Sequence, residues 1–341
     1  MNVDVIIIGA GIAGLETAST LFNLGLNVVL IEKQSSVGGH VANWFKLFPN
    51  NKEAKSLLNE ILAKLNPQIN ILLSKNIVNI QNIDNLFIVS LSDGLVIKSK
   101  AIVIATGYDL FDARLKEEYG YGIFNNVITS ADLEKMLKEN KPIQTKQGKT
   151  PFHIGFVHCV GSRDKKVNNI YCSKVCCITA VKQAIELKKI LPLSNVYCFY
   201  IDLRMFGLNF EEIYNESQEK YGVTFIRGKV SEVFEDEDNR IIIKAEDTLL
   251  GRPLKMTLDL LVLMIGMVPS KGTKFLINTF NLPVNEANFV AIKDEHIYSN
   301  ETIKEGVFVV GAASSPKTIN ETLQDARAAS LAIFKYIQQK K

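Results

Sequence analysis

The first thirty-three residues constrain the fold more than anything else in the chain. "VDVIII", "GAGIAG", "LETASTLFNLG" and "LNVVLIEK" read in turn as an apolar strand, a glycine turn, a helix and a second strand. A G-x-G-x-x-G pattern says little alone. Here it follows a strand, opens a helix and precedes an acid at a strand end, which is the context that gives it meaning. Gly9 permits the tight turn, Gly11 lets the backbone approach a pyrophosphate, and Gly14 allows close helix–strand packing. Glu32 can accept from ribose hydroxyls. Ala10, Ile12 and Ala13 fill the turn, and the N-terminus of the helix faces the phosphate charge. The pattern predicts a dinucleotide-binding α/β domain; a glycine turn without a ligand is the alternative.

Three further segments extend this reading. "KQSSVGGH" sets Lys33, the pair Gly38 and Gly39, and His40 directly after Glu32. "SKAIVIATGYD" is a strand ending in Ala105, Thr106 and Gly107. "EGVFVVGAASSPKTINETLQDARAASLAIFKYI" is a strand, a glycine (Gly311, followed by Ala312) and a long helix. Thr318 and Glu321 form a T-x-x-E capping box, which starts that helix at Ile319. The constellation resembles the flavoproteins with two dinucleotide-binding domains, the class of thioredoxin and glutathione reductases. The resemblance implies an α/β fold with FAD held by residues 1–115 and 276–341. An inserted NAD(P)-type domain at 116–275 would interrupt the FAD domain. It also implies that the start of the last helix faces the flavin pyrimidine ring, where a positive helix end favours the anionic reduced flavin. The class has Gly-Asp where this chain has Gly311-Ala312, so one ribityl contact is lost or replaced.

The inserted segment opens with "PFHIGFVHCV" as a strand, "CCITAVKQAIELKKIL" as a helix and "NVYCFYIDLR" as a second strand. A charged hairpin and the closing strand "LDLLVLMIGMVP" follow. Its strand-to-helix turn has no G-x-G-x-x-G, which argues against ordinary pyridine-nucleotide binding and leaves NAD an open question. Asp202 reads as a solvated strand-end acid. The turn holds thiols: Cys159, Cys172, Cys176 and Cys177, spaced C-x12-C-x3-C-C. Four thiolates gathered at a helix start suit a cubane iron–sulfur cluster, which takes four cysteines. Cys172 and Cys176, four apart, share a face if helical. Helix-start N–H groups favour thiolate. Zinc sites usually present two C-x2-4-C pairs, a spacing not found here. A redox disulfide would normally be C-x-x-C, also absent. Zinc and a disulfide nonetheless remain alternatives to the cluster. Cys198, in an apolar strand, reads as core.

"FVHCVGSRD…YCSKVCCITAVKQA", "VITSADLEKML", "FYIDLRMFG", "EDTLLGRP" and "LVLMIGMVPS" make the chain similar to the A subunits of heterodisulfide reductases over almost its whole length. The resemblance implies a [4Fe-4S] cluster on Cys159, Cys172, Cys176 and Cys177 beside FAD. It also implies a catalytic lysine near flavin N5 at Lys182, for which a plain helix-surface lysine is the alternative. Full-length members carry further N-terminal and ferredoxin-like segments with extra cysteines, absent here, which puts electron bifurcation in doubt. The short form looks most like the corresponding component of the heterodisulfide-reductase-like complex of sulfur oxidisers. That likeness implies a homodimer with partners resembling the B and C subunits of heterodisulfide reductase, and lipoate-binding proteins. The implied activity is an FAD-dependent iron–sulfur oxidoreductase acting in oxidation of sulfur compounds, with electrons passed to NAD+ or another acceptor. Two other readings stand beside it. One is a thioredoxin-reductase-like disulfide reductase cycling Cys176 with Cys177 or Cys159 with Cys172; the other is a non-catalytic relay or scaffold.

Composition excludes several classes. A hydrophobic share of 47% across 341 residues supplies a sizeable core, which excludes wholesale disorder. A net charge of +3, with no basic arm, gives no footprint for nucleic acid. The apolar run 258–268 is about half the ~20 residues of a membrane span, and the N-terminus lacks the basic region of a signal peptide. The expected location is cytoplasmic, with membrane association through partners left open.

Overall fold

The computed structural model describes residues 1–340. The chain divides into two compact units. The first comprises Met1–Asn43, Glu53–Asp109 and Val268–Lys341; the second comprises Trp44–Lys52 and Leu110–Met267. The sequence places the corresponding boundaries at 115/116 and 275/276 and assigns no part of 44–52 to the inserted unit.

In the first unit, five parallel strands lie in the order Val307–Val309, Ala101–Ile104, Val5–Ile8, Val28–Ile31, Asn70–Leu72. Val5 pairs with Val28 on one side and Ala101 on the other. The chain therefore winds outward in one direction from Val5–Ile8, then returns to build the other side. This reversal makes a crevice at the carboxyl ends of Val5–Ile8 and Ala101–Ile104, the place where such sheets bind ligands. Val5–Ile8 is buried along its length, as a central parallel strand must be when both faces are covered. On one face Ile6, Ile8, Val29, Ile31, Ile102 and Ile104 pack against Phe87, Val89 and Ile97. Those last three belong to an antiparallel three-stranded sheet, Ile77–Ile83, Leu86–Leu91 and Val96–Ser99. Each fully buried aliphatic side chain contributes ~1.5–3 kcal/mol relative to exposure.

The second unit repeats the plan. Its parallel strands lie in the order Val127–Thr129, Leu260–Ile265, His153–Val160, Asn195–Tyr200, Thr224–Arg227. Ile154, Phe156, Val196, Cys198, Val262 and Met264 pack with Ala180, Ala184 and Leu187 of the helix Cys176–Ile190. Cys198 is core, as its apolar strand predicts. The predicted charged hairpin has a third strand: Val230–Glu235, Ile241–Asp247 and Arg252–Leu258 form one antiparallel sheet. The excursion Trp44–Lys52 is fastened into this unit by hydrogen bonds. Phe45 N donates to Glu134 Oε1 at 2.9 Å, and Lys182 Nζ donates to Lys46 O at 2.8 Å.

Among the described residues, no helix is long and apolar enough to cross a membrane.

Candidate functional site

The glycine turn of the first unit is a cradle by construction. Gly9 adopts φ +107°, and a Cβ there would lie 2.5 Å from Ala105 O; at Gly14 it would lie 1.9 Å from Gly9 O. Both positions are closed by backbone, so only glycine fits. Gly11 differs: its φ is −70° with ψ 177°, and a Cβ there would meet nothing nearer than Gly39 Cα at 4.0 Å. Space is left above Gly11 alone. The helix it caps, Ile12–Asn23, has no side-chain cap and no acid in its first turn. The N–H groups of Ile12, Ala13 and Gly14 therefore lack intrahelical acceptors and point their partial positive charge at that space. An anionic pyrophosphate is what this geometry suits.

Ala10 and Glu32 are used differently. The Ala10 N–H is committed to Glu32 Oε2 at 2.7 Å, and Glu32 Oε1 accepts from Gln34 N at 2.9 Å. The buried Glu32 carboxylate is thus fixed by two backbone donors, and each oxygen keeps a lone pair for a hydroxyl. Gly38 N donates to Ala10 O at 2.8 Å, and Gly11 and Gly38 form a bridge, so the second glycine pair zips onto the first turn. A Cβ on Gly39 would lie 3.1 Å from Gly11 Cα. Lys33 follows, exposed. The His40 ring stacks on Tyr108 at 4.2 Å, and its Nε2 lies 2.8 Å from Tyr108 O. After the strand Ala101–Ile104, Ala105 N bonds Ile8 O. Thr106 Oγ1 meets Thr273 Oγ1 at 2.7 Å, and Thr273 also donates to Gly107 O.

Gly311, at φ +64°, sits against Ala13: a Cβ there would lie 2.8 Å from Ala13 Cβ. Its N–H donates to Asp325 Oδ2 at 2.6 Å, and Lys317 Nζ reaches both Gly311 O and that carboxylate. Ala312 is buried beside it. The capping box forms as the sequence predicts: Thr318 Oγ1 accepts from Glu321 N and the Glu321 carboxylate accepts from Thr318 N, opening the helix at Ile319. Gly9, Gly11, Gly14, Gly39, Ala105 and Gly311 are therefore gathered around one turn, and the space above Gly11 suits a phosphate.

In the second unit the thiols stand at the carboxyl end of the strand His153–Val160, where a phosphate loop would otherwise begin. The pairing of that strand with Leu260–Ile265 shifts register between Val157 and Val160, and Cys159 itself takes φ +61°. A bulge of this kind re-aims a side chain, and a left-handed cysteine is uncommon enough to signal function. The loop continues through Arg163 and Asn168, both with positive φ, returns at Cys172 and turns again at Lys174, also with positive φ. Cys176 and Cys177 open the helix Cys176–Ile190, which has no side-chain cap and no acid in its first turn. Ser173 Oγ accepts from Met267 N at 2.8 Å and packs on Ser162 Oγ, tying the two limbs of the loop together. Lys116, 1% exposed, pairs with Asp164 at 2.5 Å and Glu118 at 2.7 Å and pins the loop from below.

All five cysteines are free thiols. Burial pushes Cys177 up to about 11, Cys176 well above its ordinary value and Cys159 upward. Proximity to the other thiols adds to the rise at Cys176. A reactive thiol needs the opposite, a depressed pKa in an electropositive, accessible place. Clustered thiols, two of them buried and two half-buried, suit ligands, which metal deprotonates on binding. Among the described residues, no three His, Cys, Asp or Glu side chains converge on a point that could hold one ion. A cubane attaches its four ligands to four separate irons, so the donor set is chemically suited to it.

Lys182 is 5% exposed, so it is not the plain surface lysine that the sequence allows. Its ammonium bonds Glu134 Oε1 and Oε2 at 2.8 and 2.9 Å and lies 3.6 Å from Glu186. Gln183 Nε2 also donates to Glu134. Burial raises Glu186 to about 7, against the opposing pull of Lys182. Asp202 is likewise more than a solvated strand-end acid: it lies 2.7 Å from Arg163 Nη2 and 3.8 Å from Arg227. That ion pair, with Glu134, Glu186 and Lys116, is what sequence reasoning missed. Glu186 alone left a signal, a charge inside a mostly apolar helix; Arg163, Asp202 and Lys116 lie outside the α-helices and left none.

The chain matches the family described as pyridine nucleotide-disulphide oxidoreductase over residues 3–330. It is 40% identical over 234 residues to the A subunit of the H(2):CoB-CoM heterodisulfide,ferredoxin reductase of Methanothermobacter marburgensis, covering 67% of this chain and 36% of that one. It is 30% identical to the iron-sulfur A subunit of the CoB–CoM heterodisulfide reductase of Methanocaldococcus jannaschii, covering 96% of this chain and 63% of the relative. That alignment runs to 415 positions, more than the 341 residues here, so the relative has segments inside the matched span that this chain lacks. The chain thus spans about a third to under two thirds of the length of these curated relatives. Among solved structures it is similar to thioredoxin reductase from T. acidophilum, with TM-score 0.68, 17% identity and 98% of each chain covered. Thioredoxin reductase from Lactococcus lactis gives TM-score 0.69, 17% identity and 99% of each. These likenesses give the fold alone: the two-domain α/β fold of thioredoxin reductases.

Proposed function

The chain belongs to the pyridine nucleotide-disulphide oxidoreductase family, and from that premise we propose that it is an FAD-dependent, iron–sulfur electron-transfer protein resembling the A subunits of heterodisulfide reductases. FAD exchanges electrons in pairs and a [4Fe-4S] cluster singly, so together they convert between the two modes. Gly11, the first turn of its helix and Glu32 hold the dinucleotide. Gly38, Gly39, Ala105, Thr106, Gly107, Gly311 and Thr318 shape the rest of its cleft. Cys159, Cys172, Cys176 and Cys177 hold the cluster, and Lys182 is the proton-bearing group that tunes the flavin. The substrate is a sulfur compound carried as thiol or disulfide on partner proteins, with NAD+ or another carrier as electron acceptor. The partners are a second copy of the chain, proteins resembling the B and C subunits of heterodisulfide reductase, and lipoate-binding proteins. The observation that carries this reading is the loop of clustered thiols, Cys176 and Cys177 buried and Cys159 and Cys172 half-buried, at the strand end where the fold otherwise binds phosphate.

The test is an oxygen-free preparation assayed for flavin, iron and acid-labile sulfide. About four irons per chain and one flavin are expected, and a Cys177→Ser variant should lose iron while keeping its yellow flavin. Iron-free wild-type protein would refute the cluster. Steady-state reduction of the bound flavin by NADH alone would restore pyridine-nucleotide binding to the second unit.

A further inference from the structure

Arg163 lies four residues beyond Cys159, inside the thiol loop. Its main chain is fixed by N–H donation to Tyr171 O at 2.9 Å and a left-handed φ of +52°. Its guanidinium is fixed separately: Nη2 donates to Asp202 Oδ2 at 2.7 Å, and Arg227 braces the same carboxylate from 3.8 Å. Asp202 also faces the thiols, because its main-chain carbonyl accepts from Cys177 Sγ at 3.8 Å. One residue therefore binds Arg163 by its side chain and Cys177 by its backbone, which sets the guanidinium beside the sulfurs. The other terminal nitrogen, Nη1, is buried with no acceptor among the described residues. Leaving such a donor unsatisfied is costly, more so when charged, so native proteins rarely do so without a reason. The guanidinium stands beside the Cys159 sulfur.

We infer that Arg163, clamped by Asp202, is a positioning residue that sets the reduction potential of the iron–sulfur cluster by donating Nη1–H to its sulfur shell. The inference rests on the cluster reading above. A fixed cation and hydrogen bond next to the sulfurs stabilise the reduced, more negative state relative to the oxidised one, and so raise the potential. Lysine could keep the charge but not the fork that lets one nitrogen hold Asp202 while the other points elsewhere.

The experiment is an anaerobic redox titration of the wild-type, Arg163→Gln and Arg163→Lys proteins, followed by paramagnetic resonance, with iron and flavin measured on each sample. Arg163→Gln is expected to keep its iron and flavin and to show a cluster reduced about tenfold less at a fixed poise. For a one-electron couple this is a shift of about −59 mV. Arg163→Lys should shift the same way by less. A loaded variant of either kind with the wild-type midpoint overturns the inference. If the glutamine variant does not load, the lysine variant decides. Iron-free wild-type protein would instead sink the cluster reading beneath it.

Discussion

Gly11→Ala separates binding from folding in a way that its two neighbours cannot. At φ −70° and ψ 177° the backbone of residue 11 is ordinary for alanine, and the new methyl would meet nothing closer than 4.0 Å. Without ligand, the substitution should be neutral or stabilise the chain by about 0.4–1 kcal/mol, because it narrows the unfolded ensemble. The same methyl would stand in the space facing the uncapped helix start, where a pyrophosphate needs close approach. Displacing one charged-acceptor hydrogen bond costs ~1.5–3 kcal/mol, which is about 10- to 100-fold in FAD affinity at ~1.4 kcal/mol per decade. Gly14→Ala is the contrast: its methyl would sit 1.9 Å from Gly9 O, so it should destabilise the apoprotein itself. The assay pairs denaturant unfolding of flavin-stripped protein with FAD titration by fluorescence quenching. A Gly11→Ala protein that binds FAD as wild type does, or whose apoprotein unfolds as early as Gly14→Ala, would refute the cradle.

Other expectations follow from the buried charges and caps. Glu186 binds its proton more tightly folded, at about 7, than at its ordinary 4.5. Its contribution is therefore intact below about pH 4.5 and is lost as pH rises through 7. Glu186→Gln should gain stability over wild type across that window, on the order of 3 kcal/mol at the alkaline end; a constant difference in unfolding midpoint from pH 5 to pH 8 would count against it. Lys116→Met strips the cation from Asp164, which is 4% exposed, and should cost about 3–5 kcal/mol; a Lys116→Met/Asp164→Leu double variant should recover part of that loss in the same unfolding assay. Thr318→Ala should cost about 1 kcal/mol through its lost cap, seen as an earlier thermal transition with secondary structure otherwise unchanged.

What the sequence reveals is local. Gly9, Gly11 and Gly14 are legible because each answers a steric demand within a few residues of itself, and Thr318 with Glu321 because a capping box spans one turn. The strand and helix around the thiols are legible from apolar periodicity, and the thiols from their spacing. Pairings across distant sequence are not. Arg163 finds Asp202 thirty-nine positions away, and Lys182 finds Glu134 at a separation of forty-eight; a lone charge, in a loop or in a helix, does not name its partner. The strand Arg252–Leu258 escapes notice because Pro253 and two lysine-or-arginine positions break its alternation. The bulge at Cys159 escapes because periodicity registers residues, and a bulge is a fault in register between two strands. Trp44–Lys52 joins the second unit through Phe45 N and Lys46 O and through the rings of Phe45 and Phe48; main-chain hydrogen bonding is blind to residue type, and isolated aromatics in a loop do not name the core they enter.

The division of the chain into five segments sets an order of assembly on the ribosome. The second unit is complete once Met267 has emerged, whereas the first still lacks Val268–Lys341. Until then Ala101–Ile104 has no neighbour on one side, because that edge is paired by Val307–Val309. A nascent chain stalled before residue 307 would display a naked, wholly apolar β-edge, the kind of surface that invites aggregation. Chaperone dependence should therefore fall sharply as Val307–Val309 is translated.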